Sequence, residues 1–318
     1  MSTIKDTYDR QGFVVVPGLI PPHDFLKLQE ASDAAVNRTR KGSWPYRRTV
    51  GKQFPPFDND NPDSWGVQHV MHPDLGESAI AFSKWYTSDD LTRVCAELLQ
   101  CEEKDLQLEL FNLLINPLEH SFALRWHRDD VKENALPEEE QTALNKWHTG
   151  TVEYVRVVCL LSFQPPVLIC DQYVPHTVVE RALYEDSCLY VVPGSHRVPR
   201  TPAQRAHSCT LDPPDDPMDM PGAILLTLKP GETVFYNSNI LHCASYDHTV
   251  KRATLHACTG DARYGAARGR NILQHGLSWV NDERFRDQLT LKGKRMLDRL
   301  LELQKNSSAD EAGYSLDG

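Results

Sequence analysis

None of the eight cysteines stands in a C-x-x-C pair. Thiolate zinc sites are built from such short spacings, so a structural zinc centre has no footing in this sequence. A chain of 318 residues can bury its own core without covalent staples, and the cysteines therefore read as reduced thiols that fill it. Positive charge is scarce as well: 34 Lys and Arg face 44 Asp and Glu, a formal charge of −10. That balance repels phosphate backbones and anionic lipid surfaces, which excludes nucleic acid as a main partner. Long apolar runs are missing too. The most apolar stretch, Val157–Cys170, is broken by Pro165-Pro166 and is shorter than the roughly 20 residues a membrane span needs. The first ten residues hold no apolar signal-peptide core, and Ser315-Leu316-Asp317-Gly318 matches neither an ER-retention nor a peroxisomal ending. The expectation is a soluble, cytoplasmic protein with a small-molecule partner.

What is present reads as a β core wrapped by helices. Tyr8–Val16 ends in Phe13-Val14-Val15-Val16 and is closed by Pro17-Gly18, a strand signal. A helix should follow, with Asp24 as its cap and Phe25, Leu28, Ala35 and Val36 on one face. Residues 41–74, rich in Pro, Asp, Asn and Gly, read as a loop. From Ser88-Asp89 a second helix places Leu91, Val94, Cys95, Leu98 and Leu99 on a single apolar stripe. The period changes to two at Leu106, and strand-like runs follow at 109–115, 122–129, 153–161, 188–192, 223–228, 232–236 and 252–258. Short strands between Pro/Gly turns predict a barrel or jelly roll. Phe285–Gln304 returns to helical spacing. The chain is thus divided into one domain over 1–304, with a helical part at 1–105, a β core at about 106–260, a helical part at 270–304 and a disordered tail at 305–318.

Within that core an H-x-D tripeptide on a strand puts both side chains on one face. With a distal histidine it forms the two-His, one-carboxylate facial triad of non-haem iron(II) oxygenases. Alone it carries little weight, since 13 His and 26 Asp in 318 residues give about one such tripeptide by chance. The chain has two. His72-Pro73-Asp74 places proline between its ligands, which argues against an interior strand, and Asp74 there reads as a turn residue or cap. His127-Arg128-Asp129 follows Leu124 and Trp126, which alternation puts on the face opposite His127 and Asp129. Residues 127–134 also match the kinase string H-R-D-x-x-x-x-N, but the Gly-rich loop, V-A-I-K lysine and D-F-G that a kinase needs are absent.

The segment 230–256 strengthens the metal reading. Pro230-Gly231 turns the chain, Glu232–Tyr236 forms a strand, and His242 supplies a distal histidine. Arg252 and Thr254 then share one face of the returning strand, a guanidinium fork and a hydroxyl aimed at one carboxylate. This is the arrangement needed to hold the far carboxylate of 2-oxoglutarate while its keto-acid end chelates iron. The blander reading makes His242 a core histidine and Arg252 a surface charge.

Together, Tyr-Asp-Arg-Gln-Gly-Phe-Val-Val-Val-Pro-Gly (8–18), the His127/Asp129 strand, Cys-Leu-Tyr-Val-Val-Pro-Gly-Ser-His-Arg (188–197) and Pro230–Arg252 resemble the phytanoyl-CoA dioxygenase-like iron(II)/2-oxoglutarate oxygenases. The stretch Arg270–Leu277 resembles fungal-looking members. The resemblance implies a double-stranded β-helix (jelly-roll, cupin-like) core, with His127, Asp129 and His242 on iron(II) and Arg252 on the co-substrate. It further implies a dioxygenase that consumes dioxygen and 2-oxoglutarate, releases succinate and carbon dioxide, and oxidises a C–H bond of a small molecule by hydroxylation, desaturation or ring closure. Asp129 speaks against the halogenating variant, in which the carboxylate is missing. His196, in the Pro-Gly-Ser-His turn, takes a structural role. Two other classes remain open on the residues alone: a metal-dependent hydrolase on the same triad, which has no use for Arg252 and Thr254, and a catalytically inactive β-barrel binding protein.

Two further features stand outside that pattern. Arg263, Arg268 and Arg270 form a basic cluster, either a solvated loop or a clamp for an anionic substrate group. Residues 157–179 carry a single charge, Asp171, with two Cys and three Pro. They read either as an apolar lid over the substrate pocket or as translated non-coding sequence, since Tyr154 and Arg181 would rejoin naturally without 155–180. Mass spectrometry of peptides from the protein's native source separates the two. A peptide from 157–179 establishes the lid segment as real, and a peptide joining Tyr154 to Arg181 removes it.

Overall fold

The computed structural model describes residues 3–47, 66–119, 121–129, 131–147, 151–158, 189–210, 212–228, 231–249, 252–264 and 277–306. The chain opens on helix α1 (Ile4–Gln11) rather than on the extended lead-in that Tyr8–Gln11 predicts. Thr3 and Asp6 make a reciprocal capping box at its start, and Gly12, at φ 80°, ends it with its N–H on the Tyr8 carbonyl. Those two local devices outweigh the β-branched run, which is confined to β1 (Phe13–Val16).

Helix α2 (Pro22–Arg40) follows and buries Leu28, Ala35 and Val36, but its cap position is Pro21, whose fixed φ starts the helix, and Asp24 lies inside the first turn instead of capping it. The expected loop over 41–74 holds a two-residue strand, β2 (Gly66–Val67), and a 3-10 turn at Pro73–Leu75. Helix α3 (Glu77–Tyr86) was not foreseen, although Ala79, Phe82, Ser83 and Tyr86 are buried on a helical stripe. Helix α4 (Asp89–Leu99) buries the predicted five residues. Downstream come β3 (Leu106–Ile115), β4 (Phe122–Ala123), helix α5 (Pro137–Trp147) and β5 (Thr151–Val158). The remaining strands are β6 (Leu189–Val191), β7 (Ile224–Leu226), β8 (Thr233–Tyr236), β9 (His242–Tyr246) and β10 (Ala253–Asp261). Further helices span Pro202–Ser208, Glu283–Gln288 and Leu291–Asn306, so the predicted C-terminal helix is two pieces broken at Leu289 and Thr290. No described helix is long and apolar enough to cross a membrane.

Among the described residues the strands form two antiparallel sheets, one in the order β1-β8-β5-β10-β3-β2 and the other β4-β9-β6-β7. Alternation sorts the large sheet into two faces. Leu113, Ile115, Phe235, Ala253, Leu255 and Ala257 join the main core with residues of α2, α3 and α4. Leu114, opposite Thr254 in the β3–β10 register, packs instead on Leu124, Ala244 and Tyr246 of the small sheet. The inner face of β10 therefore points at the small sheet, between the two layers. Val155–Val158 lie in register with β10, Val155 opposite His256 and Val157 opposite Thr254. Residues 159–188, the rest of the weakly charged segment, and Arg268 to Gly276 lie outside the described residues.

Of the cysteines described, Cys95, Cys243 and Cys258 are buried, Cys101 is half-buried and Cys209 is exposed, all as free thiols. His196 is buried, with Nε2 3.2 Å from the Asp9 carbonyl, and burial pulls it down to about 4, which keeps the ring neutral. A Cβ on Gly12 would lie 2.5 Å from His196 Nδ1 and 3.0 Å from Ile240. Gly12→Ala combines that collision with the cost of a left-handed backbone, about 1–2 kcal/mol for an L-residue. It is expected to lower the urea midpoint by at least that equivalent; an unchanged midpoint would contradict this packing.

Candidate metal centre

Strand β4 carries the chain toward His127 through an irregularity that alternation alone does not foresee. The amide of Leu124 donates to the Ala244 carbonyl at 2.7 Å, and the amide of His127 donates to the His242 carbonyl at 2.9 Å. Three steps along one strand thus match two along β9, which is a β-bulge. Trp126 lies on the outer face with Val192, Met220, Leu241 and Cys243, as alternation predicts. Leu124 does not: it packs inward on Leu114, Ala244 and Tyr246, because the extra residue shifts the side-chain phase between 124 and 127. The same kink aims the pair His127 and Asp129.

His127 and His242 face each other through reciprocal backbone hydrogen bonds of 2.9 and 3.0 Å, with ring centroids 4.2 Å apart. Asp129 closes the group. Its Oδ1 lies 3.5 Å from His127 Nε2 and 3.8 Å from His242 Nε2, and its amide donates to the Ser238 carbonyl at 3.0 Å. One ligand atom from each of the three residues falls within 4.8 Å of the others, the one such group found among the described residues. His127 Nδ1 is 2.8 Å from the Arg125 carbonyl, and His242 Nδ1 is 2.9 Å from the Ile240 carbonyl. A carbonyl oxygen only accepts, so each Nδ1 carries a proton and each Nε2 is the nitrogen turned toward Asp129. Two imidazole nitrogens and a carboxylate oxygen suit iron(II), and the backbone carbonyls behind the rings fix the tautomer that ligation requires.

Arg252 and Thr254 stand on the inner face of the large sheet. Arg252 is buried, donates from Nη2 to Asn116 Oδ1 at 2.9 Å, and lies over the Tyr246 ring with Cζ 5.5 Å from its centroid. Thr254 is fully buried, and its hydroxyl has no hydrogen-bond partner among the described residues. A buried hydroxyl left unsatisfied costs free energy, so a polar occupant of the space between the sheets is the physical expectation there.

The rival tripeptide assembles differently. His72 sits among the rings of Trp44, Tyr46 and Trp279, and its Nδ1 accepts from the Asp74 amide at 3.1 Å. Asp74 is in the 3-10 turn, as a turn residue should be. Arg263 is spent on a fork to Asp261 and on the Gln100 carbonyl, which favours the structural reading of that cluster's described member.

Sequence reasoning missed the rest of the polar lining. His256 is the next inner-face residue after Arg252 and Thr254. Its Nε2 is 3.0 Å from Tyr236 Oη, and the Tyr236 ring is 5.5 Å from that of His242. Extending the two-residue alternation one step would have found His256. Asn116 and Tyr236 needed the strand register, which one sequence does not encode.

The comparisons agree with this architecture. The model of the family described as phytanoyl-CoA dioxygenase matches residues 8–254. Among curated proteins none gives a significant match. Among solved structures, AviO1 from Streptomyces viridochromogenes Tue57 superposes with a TM-score of 0.52 at 14% identity, over 82% of this chain and 97% of its own. EctD from S. alaskensis, solved with 2-oxoglutarate and 5-hydroxyectoine, superposes with a TM-score of 0.50 at 16% identity, over 81% of this chain and 75% of its own. At such identities the structures speak for the fold, and the family match over most of the sequence speaks for the class. The chain belongs to the phytanoyl-CoA dioxygenase family and is an iron(II)/2-oxoglutarate-dependent oxidoreductase.

Proposed function

We propose that His127, Asp129 and His242 hold the iron(II), that Arg252 and Thr254 receive the far carboxylate of 2-oxoglutarate, and that the enzyme hydroxylates or otherwise oxidises a small organic molecule while releasing succinate and carbon dioxide. The observation that carries the reading is the convergence of three ligand atoms within 4.8 Å, from residues 127, 129 and 242. In this reading the two facing sheets are the halves of a double-stranded β-helix, and residues 1–304 act as one oxygenase domain.

Held by His127, Asp129 and His242, iron(II) would supply dioxygen activation coupled to decarboxylation of the keto-acid. The protein's own part is orientation. The Arg125 and Ile240 carbonyls hold the two Nδ1 protons, so neither imidazole can turn its Nε2 away. Asn116 and Tyr246 hold the Arg252 guanidinium, so a dicarboxylate meets a fork already in place. The Thr254 hydroxyl, buried without a partner among the described residues, gains one when a carboxylate arrives. Burial among apolar residues of both sheets keeps water from competing for these donors.

Anaerobic titration of the purified protein with iron(II) and 2-oxoglutarate tests the assignment through the weak visible charge-transfer band of the chelate. His127→Ala is expected to abolish the band. Arg252→Ala is expected to keep it but to need roughly 10- to 100-fold more 2-oxoglutarate, the equivalent of a lost charge-assisted pair. A band that survives His127→Ala would refute the ligand set. An unchanged 2-oxoglutarate requirement in Arg252→Ala would refute the co-substrate site.

A further inference from the structure

Arg128 stands between two of the residues assigned to iron, on the opposite side of the backbone. It is buried, and burial pulls its guanidinium down to about 10 against the opposing pull of Glu140, which leaves it charged at neutral pH. It donates to three backbone carbonyls: Ser195 at 2.8 Å, Val198 at 3.0 Å, and Asn239. Its Nε lies 2.9 Å from Glu140 Oε1 as an ion pair, and Glu140, fully buried on α5, is also bound by Arg200 and Arg205 at 2.9 Å each. Ser195 is the second hub, since its hydroxyl accepts from the Leu241 amide at 2.8 Å.

These contacts converge on the weakest part of the centre. The register between the segment 127–129 and β9 is a lone bridge, separated by the bulge from the two pairs of the β4–β9 ladder. No continuous ladder holds the spacing between His127 and His242. Arg128 bonds the residue three before His242 and the turn that bonds the residue one before it, while Asp129 bonds Ser238. A buried ion pair adds little to stability compared with apolar packing of the same volume. What apolar packing cannot do is donate to three carbonyls at fixed angles from one rigid plane.

We infer that Arg128, anchored by Glu140 and seated on Ser195, is the positioning residue that sets the separation of the His127–Asp129 arm from the His242 arm. The inference rests on the assignment of those three residues to iron(II). It predicts that loosening this clasp weakens metal binding out of proportion to any loss of fold.

The test measures the iron(II) dissociation constant anaerobically, together with the melting temperature of the metal-free protein, for wild type, Arg128→Lys, Arg200→Lys and Ser195→Ala. Arg200 shares Glu140 but donates to the Ser208 and Lys132 carbonyls, the latter three residues past Asp129, so it meets the first ligand arm without bridging it to the loop before His242. Arg128→Lys is expected to bind iron(II) roughly 10- to 100-fold more weakly, the usual range for lost outer-shell partners. Arg200→Lys is expected to bind like wild type even where its melting temperature falls as far. Ser195→Ala, which loses one neutral hydrogen bond and should fold, keeps the test alive if Arg128→Lys does not; it is expected to weaken iron(II) binding several-fold. Equal losses of affinity in Arg128→Lys and Arg200→Lys would mean a merely structural cluster and overturn the inference. So would wild-type affinity in Ser195→Ala or Arg128→Lys. Iron(II) uptake by wild type no better than by His127→Ala would instead overturn the ligand assignment, and the positioning role with it.

Discussion

Two backbone hydrogen bonds between His127 and His242 are the constraint around which the centre is built, and as a lone bridge they need the support of the side chains packed behind them. They bring the rings to 4.2 Å and bind the start of β9 to the end of the bulged segment. Everything else at the centre is arranged around that pair. The bulge turns the segment so that Trp126 stays in the outer cluster while His127 and Asp129 face inward. The Ser238 carbonyl fixes the Asp129 amide, and backbone carbonyls fix each imidazole. Main-chain groups have fixed geometry and lose little entropy when they orient a ligand.

The electrostatics run against the protein's overall sign. The formal charge is −10, yet the residues behind and beside the centre include buried Arg125, Arg128, Arg200 and Arg252. Glu140 meets three arginines and balances only one of their charges. Arg252 is held by the neutral groups of Asn116 and Tyr246. Arg125 pairs with Glu133 at 3.6 Å. The acidic surface repels polyanions, while in the proposed reading the buried Arg252 guanidinium meets a small dicarboxylate.

How much of this was legible depended on whether the signal was local. His127, Asp129, Arg252 and Thr254 could be read because strand alternation is a two-residue rule, and α4 because its stripe repeats within eleven residues. Strand β9 was illegible: His-Cys-Ala-Ser-Tyr holds no β-branched residue, and its strand state comes from pairing with β4 and β6. The face of Leu124 was misread because a bulge is a property of two strands, not of one. Asn116 and Tyr236 depend on register, and the Glu140 cluster joins residues about 60 positions apart. Local rules therefore found the groups proposed for the chemistry, and tertiary pairing decided which groups support them.

The tripeptide His-Arg-Asp shows why those two kinds of information meet. Alternation sends residues 127 and 129 to one side of the backbone and residue 128 to the other. A ligand pair spaced i, i+2 thus always carries a middle residue pointing away from the metal, into whatever packs behind the strand. In an ordinary strand an apolar residue would serve there, as Trp126 does one step earlier in the outer cluster. Here the layer behind consists of the turn at Ser195–Val198 and the loop at Asn239, which offer backbone carbonyls rather than a flat apolar surface. A carbonyl has room for more than one donor, and a single guanidinium donates to all three. The burial of that charge in turn requires an anion, which explains an otherwise costly glutamate with no exposed surface on α5. One arginine thereby ties the local geometry of the ligand pair to helix α5, to the turn after β6 and to the loop before β9.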